Sequence, residues 1–168
     1  MVRVYVPATL AMLQQLVADG SVRPVSGTAF AVTPTLREAY SDGDDEELGE
    51  VALREAALAS LRLLDQEAES GLPPRRAVLE ADAGDDDVTL RADLDDAVVR
   101  ISGDIALNRV IAAYVDNGAA EEAVRAAIEV IDAADLGDED AELTVGDAQD
   151  HDLAWYGPQE LPFLLDLL

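Results

Sequence analysis

No lysine occurs anywhere in this chain, and its eleven arginines stand against thirty-six acids, a formal charge of -25. Nucleic-acid backbones are bound by displacing counterions with clusters of Lys and Arg, and no such cluster is present. The same deficit opposes docking on an anionic membrane surface. Cysteine is absent too, which excludes disulfide frameworks, thiolate metal sites and cysteine nucleophiles. A single histidine removes the usual His-rich transition-metal sites. Nowhere does an apolar run approach the roughly 18 residues of a membrane helix. The start, MVRVYVPATLAMLQQL, has no apolar stretch behind a basic region, so a cytoplasmic location is the expectation.

What is present is a core-forming chain. Apolar residues make up 49% of the 168, but aromatics only 4%, so the core is built from Ala, Val, Leu and Ile. That much apolar area offsets chain entropy and excludes global disorder in spite of the charge. The length fits one domain, 1–168. A GC-rich genome, adaptation to high salt or a functional demand would each produce this acidity.

Val2, Val4 and Val6 alternate with Arg3 and Tyr5 and predict a strand. Thr9 caps a predicted helix that carries Leu10, Leu13, Leu16 and Val17 and closes at Gly20. A second strand falls within Thr28–Thr33, and Pro34 opens a short helix through Tyr40. The acids Asp42–Glu47 precede the longest predicted helix, Asp45–Ala68, and complement its dipole. Its two apolar stripes, Leu48/Ala52/Ala56/Ala59/Leu63 and Leu53/Ala57/Leu61/Leu64, leave a narrow polar strip of Glu47, Glu50, Arg54, Arg62, Asp65 and Glu69. A helix so widely apolar is packed against partners over most of its circumference. Leu58 falls among the polar positions and is the residue expected to be left over for self-association.

Further strands are predicted at Arg76–Ala81, Val88–Leu90, Ala97–Ser102, Val110–Val115, Leu143–Val145 and Leu153–Tyr156. An amphipathic helix spans Glu121–Ala134, the acidic Gly137–Glu142 reads as a loop, and Pro158 opens a terminal helix, Gln159–Leu168. The expected fold is a single α+β domain, a mixed or antiparallel sheet with helices mainly on one face. Strand, helix, strand, proline and short helix occur in Val2–Tyr40 and again in Val110–Leu168. That echo suggests ferredoxin-like split βαβ units.

Three segments, VRVYVPATLAML, TAFAVTPTLREAY and HDLAWYGPQELPFLL, are distinctive. Through them nearly the whole chain resembles an uncharacterised family of small acidic actinobacterial proteins of unknown function. The resemblance implies a cytoplasmic actinobacterial protein and carries no catalytic residues with it.

His151, flanked by Asp150 and Asp152, has the chemistry of a base or a metal ligand. Neighbours on an extended segment point to opposite sides, however, so the trio need not converge, and a solvated loop histidine is the expectation. The acidic runs Asp42–Glu47, Asp85–Asp87, Asp93–Asp96 and Asp135–Asp140 offer oxygen ligands for a hard cation. None matches an EF-hand, since Glu47 stands where that loop requires glycine. Glu80, Asp82 and Asp93 are candidates for a carboxylate pair. Ser26-Gly27 and Ser102-Gly103 lie in turn-like contexts without a nucleophile elbow, and no phosphate-binding glycine motif occurs.

Trp155 and Tyr156, before Gly157-Pro158, are the most suggestive aromatic pair: strand alternation would put one in the core and leave the other free to anchor an interface, although packing of both in the core is the favoured expectation. The reading is a non-enzymatic cytoplasmic binding or interaction protein with no catalytic residue, cofactor or metal. Its partner is a protein, basic in character, or a second copy, with Trp155, Tyr156 and Leu58 as contact residues. The alternative is a carboxylate-based Mg²⁺-dependent hydrolase or a small-ligand-binding protein.

Overall fold

The computed structural model describes residues 1–67 and 70–168. The sheet has seven strands in the order β5-β6-β3-β1-β4-β8-β9, and every pairing in it is antiparallel. These are β1 (Val2–Ala8), β3 (Thr28–Phe30), β4 (Ala77–Ala83), β5 (Val88–Leu90), β6 (Val98–Ile101), β8 (Val110–Val115) and β9 (Ala154–Tyr156). A separate ribbon pairs β2 (Ser21–Val22) with β7 (Ile105–Ala106). The helices are α1 (Leu10–Asp19), α2 (Pro34–Ala39), α3 (Asp45–Gln66), α4 (Glu121–Asp135), α5 (Glu139–Gln149) and α6 (Leu161–Asp166). Ala68 and Glu69, which the sequence places at the end of the long helix, lie outside the described residues. No described helix is long and apolar enough to cross a membrane.

Local chemistry sets several helix ends. Thr9 Oγ1 accepts from Met12 N–H, Thr33 Oγ1 from Leu36 N–H, and Asp44 from Glu47 N–H at 2.8 Å. Gly20 takes the left-handed conformation that ends α1, with φ at 79°. Beside it, β1 lies along β4 over seven register pairs, from Val2↔Ala83 to Ala8↔Ala77. Ser60, fully buried on α3, donates to the Ala8 carbonyl and accepts from Ala77 N–H, which ties α3 to the end of both strands.

Alternation along β1 and β4 divides the core. Val4, Val6, Ala8, Leu79 and Ala81 face α1, α6 and the small ribbon. Val78 and Tyr5 face α2 and α3, against Leu36, Leu48, Ala52 and Ala56. A third cluster joins the end of α3 to α4 and α5 through Leu61, Leu64, Val124, Ile131, Val145 and Ala148. Most helical residues therefore lie on the α3 side, while α1 and α6 cover the opposite face. The apolar girth of α3 is shared between the sheet and the α4–α5 pair, and Leu58 is half-buried against that second set.

The split βαβ unit exists once, and not at the ends of the chain. β3 and β4 both run antiparallel to β1 and so parallel to each other, with α2 and α3 crossing between them and β1 inserted. At the two ends, β1 and β3, and likewise β8 and β9, are direct antiparallel neighbours. Each of those connections holds an additional element, β2 or α5, which adds one reversal of chain direction. That second element also corrects the strand expected at Leu143–Val145 and the loop expected at Gly137–Glu142. Leu143–Val145 and residues 139–142 of that loop belong to α5, whose N-terminus is capped by Asp138 accepting from Ala141 N–H at 2.9 Å. Leu143 and the β-branched Thr144 and Val145 are helical because Ala141, Val145 and Ala148 share one face and bury it against α4.

Candidate functional site

A cleft opens on the α3 side of the sheet, at its β9 edge, with a volume of about 560 Å³. α3 supplies one wall, with Glu50, Leu53, Arg54 and Ala57, and Tyr114 of β8 lies across it. Gln149, His151, Asp152 and Leu153, between α5 and β9, make the other wall. A volume of this size is within the range of small-molecule sites, about 300–1,000 Å³.

Below that second wall lies a buried ion pair. Arg76 and Asp116, 1% and 0% exposed, stand just before β4 and just after β8. Arg76 Nε and Nη2 donate to the two Asp116 oxygens at 2.9 and 2.7 Å, and its backbone N–H adds a third bond at 2.8 Å. The remaining guanidinium bonds go to Gln149 Oε1 and the His151 carbonyl, each at 2.8 Å. A guanidinium out of water needs partners of this number and geometry. Its effect is to hold the α5–β9 wall against the ends of β4 and β8.

A second polar network lies on the same sheet face. Glu80 of β4, 9% exposed, accepts from Tyr114 Oη at 2.8 Å and from Arg3 Nη1 at 2.6 Å. Burial, and then the hydrogen bond to Glu80, push the Tyr114 hydroxyl well above the ordinary tyrosine range. Burial beside the same carboxylate also raises Tyr5. The Tyr5 hydroxyl comes so close to α3 that a Cβ at Gly49 would sit 3.1 Å from it, which accounts for a glycine inside that helix.

Several sequence candidates separate in space. Arg3 bridges Glu80 to Asp82, whereas Asp93 is held by Arg91 in an exposed turn, so the three carboxylates do not meet. In the acidic runs, Asp44 and Asp138 cap helices, Asp45 pairs with Arg37, Asp85 with the N-terminal amine, and Asp135 with Arg62. Among the described residues no three His, Asp or Glu side chains are placed to hold a metal ion. Of the histidine trio, His151 and Asp152 line the cleft, while Asp150 closes α5.

Trp155 and Tyr156 divide as strand neighbours do. Trp155 is 57% exposed and pairs with Tyr114 across the strands, so it flanks the cleft. Tyr156 turns to the other face and packs half-buried against the α1/α6 cluster. Sequence reasoning missed Arg76, Asp116, Tyr114 and Gln149. The arginine and aspartate each sit at a strand end, but nothing in the sequence signals a pairing across 40 positions. Glu50 and Arg54 did carry a signal, the one-turn spacing on the polar strip of α3.

A family model described as a family of unknown function (DUF6912) matches residues 2–165, and the chain belongs to that family. No curated protein and no solved structure matches it.

Proposed function

We propose that this member of a family of unknown function is a non-catalytic interaction protein that binds a basic protein segment at the β9 edge of its sheet, with Trp155 as the anchor. The observation that carries the reading is the exposure of the chain's one tryptophan on a three-residue edge strand. Buried indole surface is a leading source of interface energy, and leaving it in water is costly unless something covers it. An edge strand also presents unpaired backbone groups to which an extended segment adds by hydrogen bonding.

Charge chooses the partner. Two copies of a chain carrying -25 repel each other, while Lys or Arg side chains are attracted to the field and stack on an indole face. The flanks of β9 hold Asp150, Asp152 and Glu160, which suit such a segment. Neither a metal-dependent hydrolase nor a nucleic-acid binder gains support from these residues, since the carboxylates are dispersed and the basic groups mostly paired.

The test compares proteins captured by wild type and by Trp155→Ala at low salt and at about 0.5 M NaCl, where the Debye length falls to a few ångströms. Basic proteins retained by wild type, and lost both on substitution and in salt, support the reading. A captured set that ignores Trp155, or capture only of further copies of the same chain, refutes it.

A further inference from the structure

Among the described residues seven of the eleven arginines form ion pairs, as expected where acid is in excess threefold. Arg54 is an exception in a telling place. It lies one helical turn after Glu50, in the order that favours an i,i+4 pair, yet the two form no ion pair. Among the described residues the Arg54 guanidinium has no hydrogen-bonding partner either. Both side chains line the cleft. Across from them stand His151 and Asp152, whose side chains are likewise without a hydrogen bond among the described residues, and between the walls lie Leu53, Tyr114 and Leu153.

The cleft thus presents uncommitted groups of both signs around an apolar middle. A simple anion would meet Arg54 and His151 but also two carboxylates and the field of the whole chain. A simple cation would leave the guanidinium unanswered. A molecule that carries both charges answers both, and being neutral overall it is not repelled by the protein.

We infer that this cleft binds a zwitterion with an apolar side chain: its carboxylate at Arg54 and His151, its ammonium at Glu50 and Asp152, and its side chain over Leu53, Tyr114 and Leu153. An α-amino acid and a short peptide share this chemistry. The inference shares only Asp152 with partner docking at Trp155, and its other groups lie on α3, β8 and the segment between α5 and β9 rather than on the free edge of β9.

Calorimetric titration of the full chain with L-phenylalanine and with the dipeptide Phe-Phe tests it. Saturable binding of the amino acid identifies a free amino acid as the ligand class, and binding of the dipeptide alone identifies a short peptide. L-Phenylalaninamide, which lacks the carboxylate, and N-acetyl-L-phenylalanine, which lacks the ammonium, should each bind at least about tenfold more weakly, the scale of one lost charged hydrogen bond. Arg54→Gln and Glu50→Gln, both on the solvated side of α3, should lose a similar factor with unchanged far-UV circular dichroism. No binding of either zwitterion, equal binding of the blocked compounds, or undiminished affinity in both variants overturns the inference. A loss of affinity in Trp155→Ala alone would instead move the site to the β9 edge.

Discussion

Replacing Arg76 by methionine is the perturbation with the largest expected consequence. The methionine keeps most of the side-chain volume but removes four hydrogen bonds, two to Asp116 and one each to Gln149 and the His151 carbonyl. Asp116, fully buried, would keep only the Arg76 backbone N–H on its carboxylate. Breaking one side of a buried pair costs about 3–5 kcal/mol, because a charge is left without compensation. At about 2–4 °C per kcal/mol for a chain of this size, the melting temperature should fall by roughly 6–20 °C. Urea denaturation followed by circular dichroism measures the loss. Arg76→Met with Asp116→Leu removes both charges and should recover part of it. The tether to the α5–β9 wall stays lost, so amides of 149–153 should exchange faster in single and double variants alike. Arg23→Gln, which breaks the exposed pair with Asp104 at 3.1 Å, should leave the midpoint where it is. If Arg76→Met costs under about 1 kcal/mol, or the double variant loses the sum of the two single ones, the pair does not hold this region together.

Leu61→Ala empties a fully buried position between α3 and α4 and should cost about 2–5 kcal/mol by urea denaturation. Leu58→Asp, half-buried in the same cluster, should cost about 1–2 kcal/mol without changing the oligomeric state seen in light scattering. Melting temperature should rise as NaCl is added, because ions screen the mutual repulsion of the excess acids, and a flat or falling curve would count against repulsion as a significant force. Burial, and then the charge of Asp95, raise the Glu55 carboxyl above the ordinary glutamate range. A raised carboxyl stabilises the fold only at pH below its unfolded value, and that contribution is lost as pH rises through the folded one. Glu55→Gln should therefore be more stable than wild type at pH 7, and the gap should close by about pH 4, as compared by urea midpoints.

Much of the fold was legible because the signals are local. Thr9, Gly20, Thr33-Pro34 and Asp44 act within one helical turn of where they stand, so the helices α1, α2 and α3 begin or end where those residues say. The alternation of Val2, Val4 and Val6 likewise encodes which side of β1 is buried, since a strand has only two faces. Composition alone set the charge, ruled out thiol chemistry and required an aliphatic core.

Contacts between distant positions were decided by the tertiary structure. The β2–β7 ribbon joins two-residue strands more than eighty positions apart, too short for any periodicity to mark. α5 is a helix because α4 covers its narrow apolar face, although its β-branched centre favours a strand in isolation. The cleft draws on α3, β8 and the approach to β9, so Arg54 and His151, nearly a hundred positions apart, become opposite walls only after the sheet has formed. Sequence prescribes how each segment can bury its own apolar face; which surfaces then meet depends on the packing of all of them at once, and with it which charges are left without a partner.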